Sequence, residues 1–200
     1  LDRTKFDPIK VLIDENEWTA YDDLGKYPID KNDFSFTKNG VKFNFDYAYI
    51  VIHGTPGEDG KLQGYFDMIG IPYNTSSAAI TSLTFQKFHC NQFLKNFGVN
   101  VAEAVLIKAG DQPNIDQIIE KVALPCFVKP TDGGSSFGVT KVKAKNNLQL
   151  AIKTAFEAFA KLTSVSVTIP TSDKIIFGLT SSCFIRFTAF LIASDCLLYT

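Results

Sequence analysis

Apolar residues recur along this chain with two periods. Short runs near period two alternate with longer stretches near period 3.6, the sign of strands interleaved with amphipathic helices. "FDPIKVLID" and "YAYIVIHG" read as β-strands, because aromatic and β-branched residues cluster in short runs closed by Asp or Gly. The second is apolar on both faces, as buried parallel strands are. Between them, Asn39-Gly40 flanked by alternating apolar residues predicts a hairpin decorating the main sheet. Gly54, Gly57 and Gly60 then hold the chain in a loop after His53. A helix is expected near residues 61–69, and "GIPY" ends it and restarts the chain as a strand.

A second unit begins near residue 84. Phe85, Phe88, Phe93 and Phe97 fall near helical spacing, and Gly98 stands where a C′ glycine closes a helix. "VAEAVLI" reads as a strand, "IDQIIEKVAL" as a helix with an apolar face and "PCFVKP" as a strand. "GVTKVKA" is a further strand and "NNLQLAIKTAF" a helix. Residues 84–157 are thus expected to form an α+β module in which a glycine-serine loop joins two adjacent strands.

Composition narrows the partners. Of 200 residues 46% are hydrophobic, and 20 basic side chains against 21 acidic ones leave no basic footprint for nucleic acid. No run of 18 or more apolar residues offers a membrane span, so a small-molecule partner is expected. The 18 phenylalanines read as core material, because no basic interleaving accompanies them. Cys90, Cys126, Cys183 and Cys196 form no C-x-x-C pair, and two histidines in the chain leave no metal-ligand constellation. Reduced thiols in a cytoplasmic protein are the expectation. The opening "LDRTKFDPIKVLID" lacks the charged and apolar regions of a signal peptide.

The chemistry concentrates at residues 127–142, "FVKPTDGGSSFGVTKV". A P-loop needs a lysine after its glycines and a helix behind them, whereas here Lys129 precedes the glycines and the loop runs strand to strand. A dinucleotide fingerprint fails for the same reason. What remains is a hairpin flap. Gly133, Gly134 and Gly138 would let the backbone approach an anion, Ser135 and Ser136 offer donors, and Lys129 supplies charge. The plainer alternative is a decorated β-turn beside a solvated lysine.

"HGTPGEDGKLQGYFDMIGIPY" together with "LPCFVKPTDGGSSFGVTKV" resembles the D-alanine–D-alanine ligases of the ATP-grasp superfamily, over roughly residues 5–157. The resemblance implies an α/β fold of ATP-grasp type. Residues 1–83 would be an open, mostly parallel sheet domain on the substrate side, 84–157 the central module with its Gly/Ser flap, and 158–200 the remnant of an incomplete C-terminal domain. It implies ATP-dependent joining of two D-alanines through an acyl phosphate, for peptidoglycan precursors, with ATP and Mg²⁺ and with a homodimer favoured. Lys87 and Lys129 would reach ATP phosphates, Phe127 would lie beside the adenine, and Ser136 and Phe137 would offer backbone N–H groups. Ser135 would face the substrate side, and His53 and Glu58 would line the D-alanine pocket. Arg186, in "CFIRFTAFLIAS", would stabilise the developing oxyanion.

The chain departs from the family pattern in places. The family's first strand, with its glutamate, has no counterpart before residue 5. Gln86 replaces the aspartate before Lys87, Ser164 stands where glutamate is expected, and Thr188 or Ala189 occupies the place of a metal-binding aspartate. No metal ligand is therefore assigned within these residues. An inactive nucleotide-binding module and another ATP-grasp carboxylate–amine ligase are the alternatives.

Overall fold

The computed structural model describes residues 2–133, 138–158 and 164–168. Two compact units divide the chain: Leu1–Ile50 with Gln63–Asn74, and Val51–Leu62 with Thr75–Thr200.

In the first unit five antiparallel strands follow one another in sequence order: β1 (Lys10–Ile13), β2 (Trp18–Asp22), β3 (Gly25–Asp30), β4 (Ser35–Lys38) and β5 (Val41–Phe43). The Asn39-Gly40 hairpin forms as the sequence predicts. Both residues take positive φ, 51° and 76°, the pair a type I′ turn demands between right-twisted strands. Register aligns Ile29, Phe36 and Phe43 in one cross-strand row, with the Phe36 and Phe43 rings stacked at 5.2 Å. Helix α1 (Lys61–Ile69) contributes Tyr65 and Phe66 to the same unit. Phe66 meets Phe34 edge-on at 4.9 Å and Tyr65 meets Trp18 at 5.1 Å, contacts worth about 0.5–1.5 kcal/mol each beyond burial.

Helices and strands mix as an α/β chain requires, but strand pairing in this unit differs from the parallel arrangement expected. Parallel pairing is confined, among the described residues, to a bridge between Ala48 and Tyr73. "YAYIVIHG" alternates instead of burying both faces: Tyr47, Tyr49 and Val51 are exposed, whereas Ala48 and Ile50 are buried. The Asn74 side chain takes the place of a neighbouring strand at Ile50, accepting its N–H at 2.7 Å and donating to its carbonyl at 3.2 Å. That satisfies both backbone groups without extending a ladder.

The second unit holds α2 (Ala78–Phe85), α3 (Lys87–Asn96), β6 (Ala104–Lys108), α4 (Ile115–Val122), β7 (Cys126–Pro130), β8 (Thr140–Val142), α5 (Leu148–Glu157) and β9 (Ser164–Thr168). Its four strands lie in the order β6-β9-β7-β8, all antiparallel. The phenylalanine-spaced helix is in fact two helices, broken at Gln86, whose ψ of 89° is not helical. Phe93 and Phe97 are exposed and pack on each other at 4.9 Å, so these two are not core material.

Alternation gives this sheet two unlike faces. Cys126, Val128, Val142, Val165 and Val167 are buried in one cluster with Ile118 and Val122 of α4 and Leu148, Ile152 and Ala155 of α5. Full burial of each valine contributes about 1.5–3 kcal/mol. α4 starts where the Asn114 side chain accepts from the N–H groups of Asp116 and Gln117, an N-cap worth about 1 kcal/mol. The opposite face carries Phe127 and Lys129 on β7, Lys141 on β8, and Ser166 and Thr168 on β9, as the pairs Phe127↔Lys141, Phe127↔Thr168 and Lys129↔Ser166 require. One face is therefore committed to the core and the other to chemistry.

Candidate functional site

Three segments of the second unit bring charged side chains together. The first is the turn "HGTPGEDG". Glu58 is only 5% exposed; its N–H donates to the Gly54 carbonyl and its Oε2 accepts the Gly54 N–H, both at 2.7 Å. The turn closes only with glycine at two places. A Cβ on Gly57 would lie 2.5 Å from the Ile52 carbonyl oxygen, and Gly60 has φ 85° with a Cβ position 2.5 Å from the Ala78 carbonyl oxygen. The sequence therefore spends its glycines on burying one carboxylate. Glu58 Oε1 has no hydrogen-bond partner among the described residues, and His53 Nδ1 lies 3.9 Å away on a side chain that is 91% exposed. His53 is thus a solvent-facing imidazole beside a buried carboxylate, which leaves it accessible to a ligand.

The second segment is the start of α3. The break at Gln86 frees the Lys87 N–H, which donates to the Thr131 carbonyl at 2.8 Å, while the Lys87 ammonium donates to the Gly133 carbonyl. One residue is thereby fastened at two points to the root of the glycine-serine loop. Burial holds the Lys87 ammonium below the usual lysine range, the Asp132 and Glu58 carboxylates oppose that shift, and Lys129 adds to it. The four charges therefore share one field.

The third segment is β7 itself. Lys129 faces away from the core, and burial alone pushes its ammonium below the usual range. Its Nζ lies 5.5 Å from the centre of the Phe127 ring. At the root of the loop the Thr131 hydroxyl is buried against Ser164: the two side-chain oxygens are 2.8 Å apart, and Thr131 Oγ1 donates to the Ser164 carbonyl at 3.0 Å.

Of the residues the sequence singles out, Glu58, Lys87, Phe127 and Lys129 fall in this one unit with His53 at its edge. Ser135, Ser136, Phe137 and Arg186 lie outside the described residues. Sequence reasoning missed Asp132, Thr131 and Lys141. Asp132 and Thr131 sit inside the quoted motif, and parity across the hairpin is the signal that would have found Lys141. Cys90 and Cys126 are free and buried, and burial raises both thiols above the ordinary range. Among the described residues no cluster of three or more His, Cys, Asp and Glu could hold a metal ion, and no helix is long and apolar enough to cross a membrane. A cleft of about 780 Å³ between the β6–α4 turn and α5, lined by Ile107, Ile152 and Phe156 with Lys108 and Lys153, does not include Lys87 or Lys129.

Lys129 beside the Phe127 ring, and Lys87 held by the Gly133 carbonyl in the field of Asp132 and Glu58, form a partly desolvated cationic surface with the chemistry to receive a polyanion that carries a flat ring. The family models for the D-ala D-ala ligase N-terminus and C-terminus match residues 1–76 and 93–165. D-alanine–D-alanine ligases of Phocaeicola vulgatus and Parabacteroides distasonis are 47% identical over 191 residues and 50% identical over 157. Those matches cover 90% and 78% of this chain but 59% and 48% of the relatives, so the chain spans about half the length of the curated relatives it matches. The fold of a D-Ala:D-Ser ligase from Enterococcus faecalis superposes with a TM-score of 0.74 at 29% identity, covering 86% of this chain and 55% of that one. A D-alanyl-alanine synthetase A from Vibrio cholerae shares the fold with a TM-score of 0.70 at 23% identity, covering 82% of this chain and 49% of that one. Two family models that together match residues 1–76 and 93–165, and relatives at 47% and 50% identity, lead to one assignment: the chain belongs to the D-alanine–D-alanine ligase family.

Proposed function

We propose that this chain binds ATP and D-alanine and serves the ATP-dependent joining of two D-alanines, through an acyl phosphate, in making peptidoglycan precursors. The observation that carries this reading is the meeting of Lys87 and Lys129 at the root of the glycine-serine loop, with Glu58 in the same field. Phosphoryl transfer asks a protein mainly for positioning and for charge aimed at phosphate oxygens. Both ammonium groups are already partly buried, so an arriving phosphate meets charges that water screens less than it would at an exposed surface. In this reading Lys87 exchanges the Gly133 carbonyl for a phosphate oxygen, Lys129 holds a second one, and Phe127 offers its ring to the base. Ser136 and Phe137 donate backbone N–H groups, and Ser135 faces the substrate. Glu58 and His53 line the D-alanine pocket, the buried carboxylate turned toward the amino-acid ammonium. Arg186 steadies the oxyanion of the tetrahedral intermediate.

Mg²⁺ accompanies ATP in this chemistry as a Lewis acid on phosphate oxygens. The described residues offer no ligand cluster that fits it, and the roles above belong to the chain's own lysines and carboxylate. Division near residue 83 into a substrate-side and a central domain, followed by a C-terminal one, belongs to the same reading. So do a homodimer and a cytoplasmic location. D-serine is a second acceptor to test, because a D-Ala:D-Ser ligase shares the fold at 29% identity.

Phosphate release from ATP tests the reading. It should depend on D-alanine, should not respond to L-alanine and should be largely lost in Lys129→Ala. ATP binding with no D-alanine-dependent release would favour a nucleotide-binding module instead.

A further inference from the structure

We infer that Lys141 is a second cation for the phosphates of the bound nucleotide, paired with Lys129 across the β7–β8 hairpin. Resting on the nucleotide reading above, the inference adds a residue that neither the sequence motif nor the comparisons single out.

Phe127 on β7 stands directly opposite Lys141 on β8. Directly paired residues share a face, and Lys129, two residues after Phe127, shares it too. All three therefore project from the side of the sheet that α4 and α5 leave uncovered. Distances agree: the Lys129 and Lys141 ammonium groups lie 5.5 and 5.8 Å from the centre of the same Phe127 ring. The ring is flanked by a cation from each strand.

Pairing separates this lysine from its neighbours. Lys145 and Lys153, just downstream, engage the carboxylates of Asp116 and Glu157. Among the described residues neither Lys129 nor Lys141 has a carboxylate within 4 Å, and their recorded partner is an aromatic face. A cation–π contact is weaker than a charge-assisted hydrogen bond to phosphate. A nucleotide with its base on Phe127 and its phosphates running past the ring edge would therefore draw both ammonium groups without breaking an existing ion pair. The two differ in one respect: Lys129 is partly buried and Lys141 is exposed. Lys141 should thus add affinity that salt screens, at no cost in desolvation.

The test is a calorimetric titration of the full chain and of Lys141→Met and Lys141→Arg with ATP, inorganic tripolyphosphate and adenosine. Methionine keeps the unbranched stem, and Lys141 is exposed, so the melting temperature should not move. In Lys141→Met, affinity for ATP and tripolyphosphate should fall about 3–10-fold at low salt, the deficit should shrink at high salt, and adenosine should be unaffected. Lys141→Arg should restore most of the loss. Unchanged affinity for both anions, or an equal loss for adenosine, overturns the inference. Tripolyphosphate keeps this outcome distinct from failure of the nucleotide reading. Binding of tripolyphosphate that depends on Lys141, without binding of ATP, would refute the nucleotide and leave the cation pair standing. Wild-type protein that binds neither anion would refute both.

Discussion

Replacing Lys129 with methionine should weaken nucleotide binding strongly while leaving the empty protein at least as stable as before. Methionine preserves the stem over Phe127 and deletes only the ammonium. Two unit charges roughly 4 Å apart at an effective dielectric of about 20 interact by about 4 kcal/mol. A charge-assisted hydrogen bond contributes about 1.5–3 kcal/mol net. An expected loss of about 2–4 kcal/mol in ATP binding corresponds to roughly 30–1,000-fold. The apo protein behaves oppositely. Burial disfavours the charged form of Lys129, and its charge also lowers Lys87, so deleting it removes two unfavourable terms. Titration calorimetry with a non-hydrolysable ATP analogue gives the first quantity and thermal unfolding without ligand gives the second. Affinity within a factor of three of wild type would refute the assignment of Lys129. A large drop in apo melting temperature would show that Lys129 holds the fold and not the ligand.

Further outcomes follow from the same geometry. Glu58→Gln can still accept from the Gly54 N–H, so stability should change by less than about 1 kcal/mol. D-alanine-dependent phosphate release should fall at least tenfold, and a steady-state assay showing wild-type rates would remove Glu58 from the site. Gly57→Ala places a methyl 2.5 Å from the Ile52 carbonyl oxygen, and denaturant unfolding should report a loss of about 2–4 kcal/mol with the Glu58 turn distorted. Asn114→Ala removes the acceptor for two N–H groups of α4 and should cost about 1 kcal/mol, measured in the same way. Lys87 and Lys129 both lie below the ordinary lysine value of 10.5 in the folded chain. Between their folded values and 10.5 the unfolded chain binds more protons, so apo stability should rise with pH across that window. ATP affinity should fall across the same window, because phosphate needs the ammonium form. Affinity independent of pH up to 10.5 would contradict those shifts.

Much of this was legible in the sequence, and the failures share a cause. Asn39-Gly40 sets its hairpin locally through two positive-φ residues, so it could be read directly. Lys129 was legible from its place before the glycine-serine loop, whereas Glu58 and Lys87 were legible only through resemblance to a family, since no local rule states that a lysine opening α3 meets one on β7. The break at Gln86 was not readable. It is held by the Thr131 carbonyl accepting the Lys87 N–H, a tertiary contact that overrides the 3.6-residue spacing of the phenylalanines. "YAYIVIHG" misled because being apolar on both faces does not specify a neighbour. Asn74 pairs with Ile50 through its side chain, and Tyr47, Tyr49 and Val51 stay exposed. Lys141 escaped notice because its face depends on register across the β7–β8 hairpin, which the intervening loop leaves open to a one-residue slip.

The central claim, that this chain serves the joining of two D-alanines at the expense of ATP, is tested most directly by measuring dipeptide and phosphate together. Purified protein is incubated with ATP and D-alanine, the dipeptide is quantified by mass spectrometry and the phosphate is assayed in parallel. The expected result is D-alanyl-D-alanine and phosphate formed in equal amounts, with neither from L-alanine and both largely lost in Lys129→Ala. Phosphate release that ignores D-alanine, or dipeptide absent while ATP and D-alanine both bind, would contradict the account.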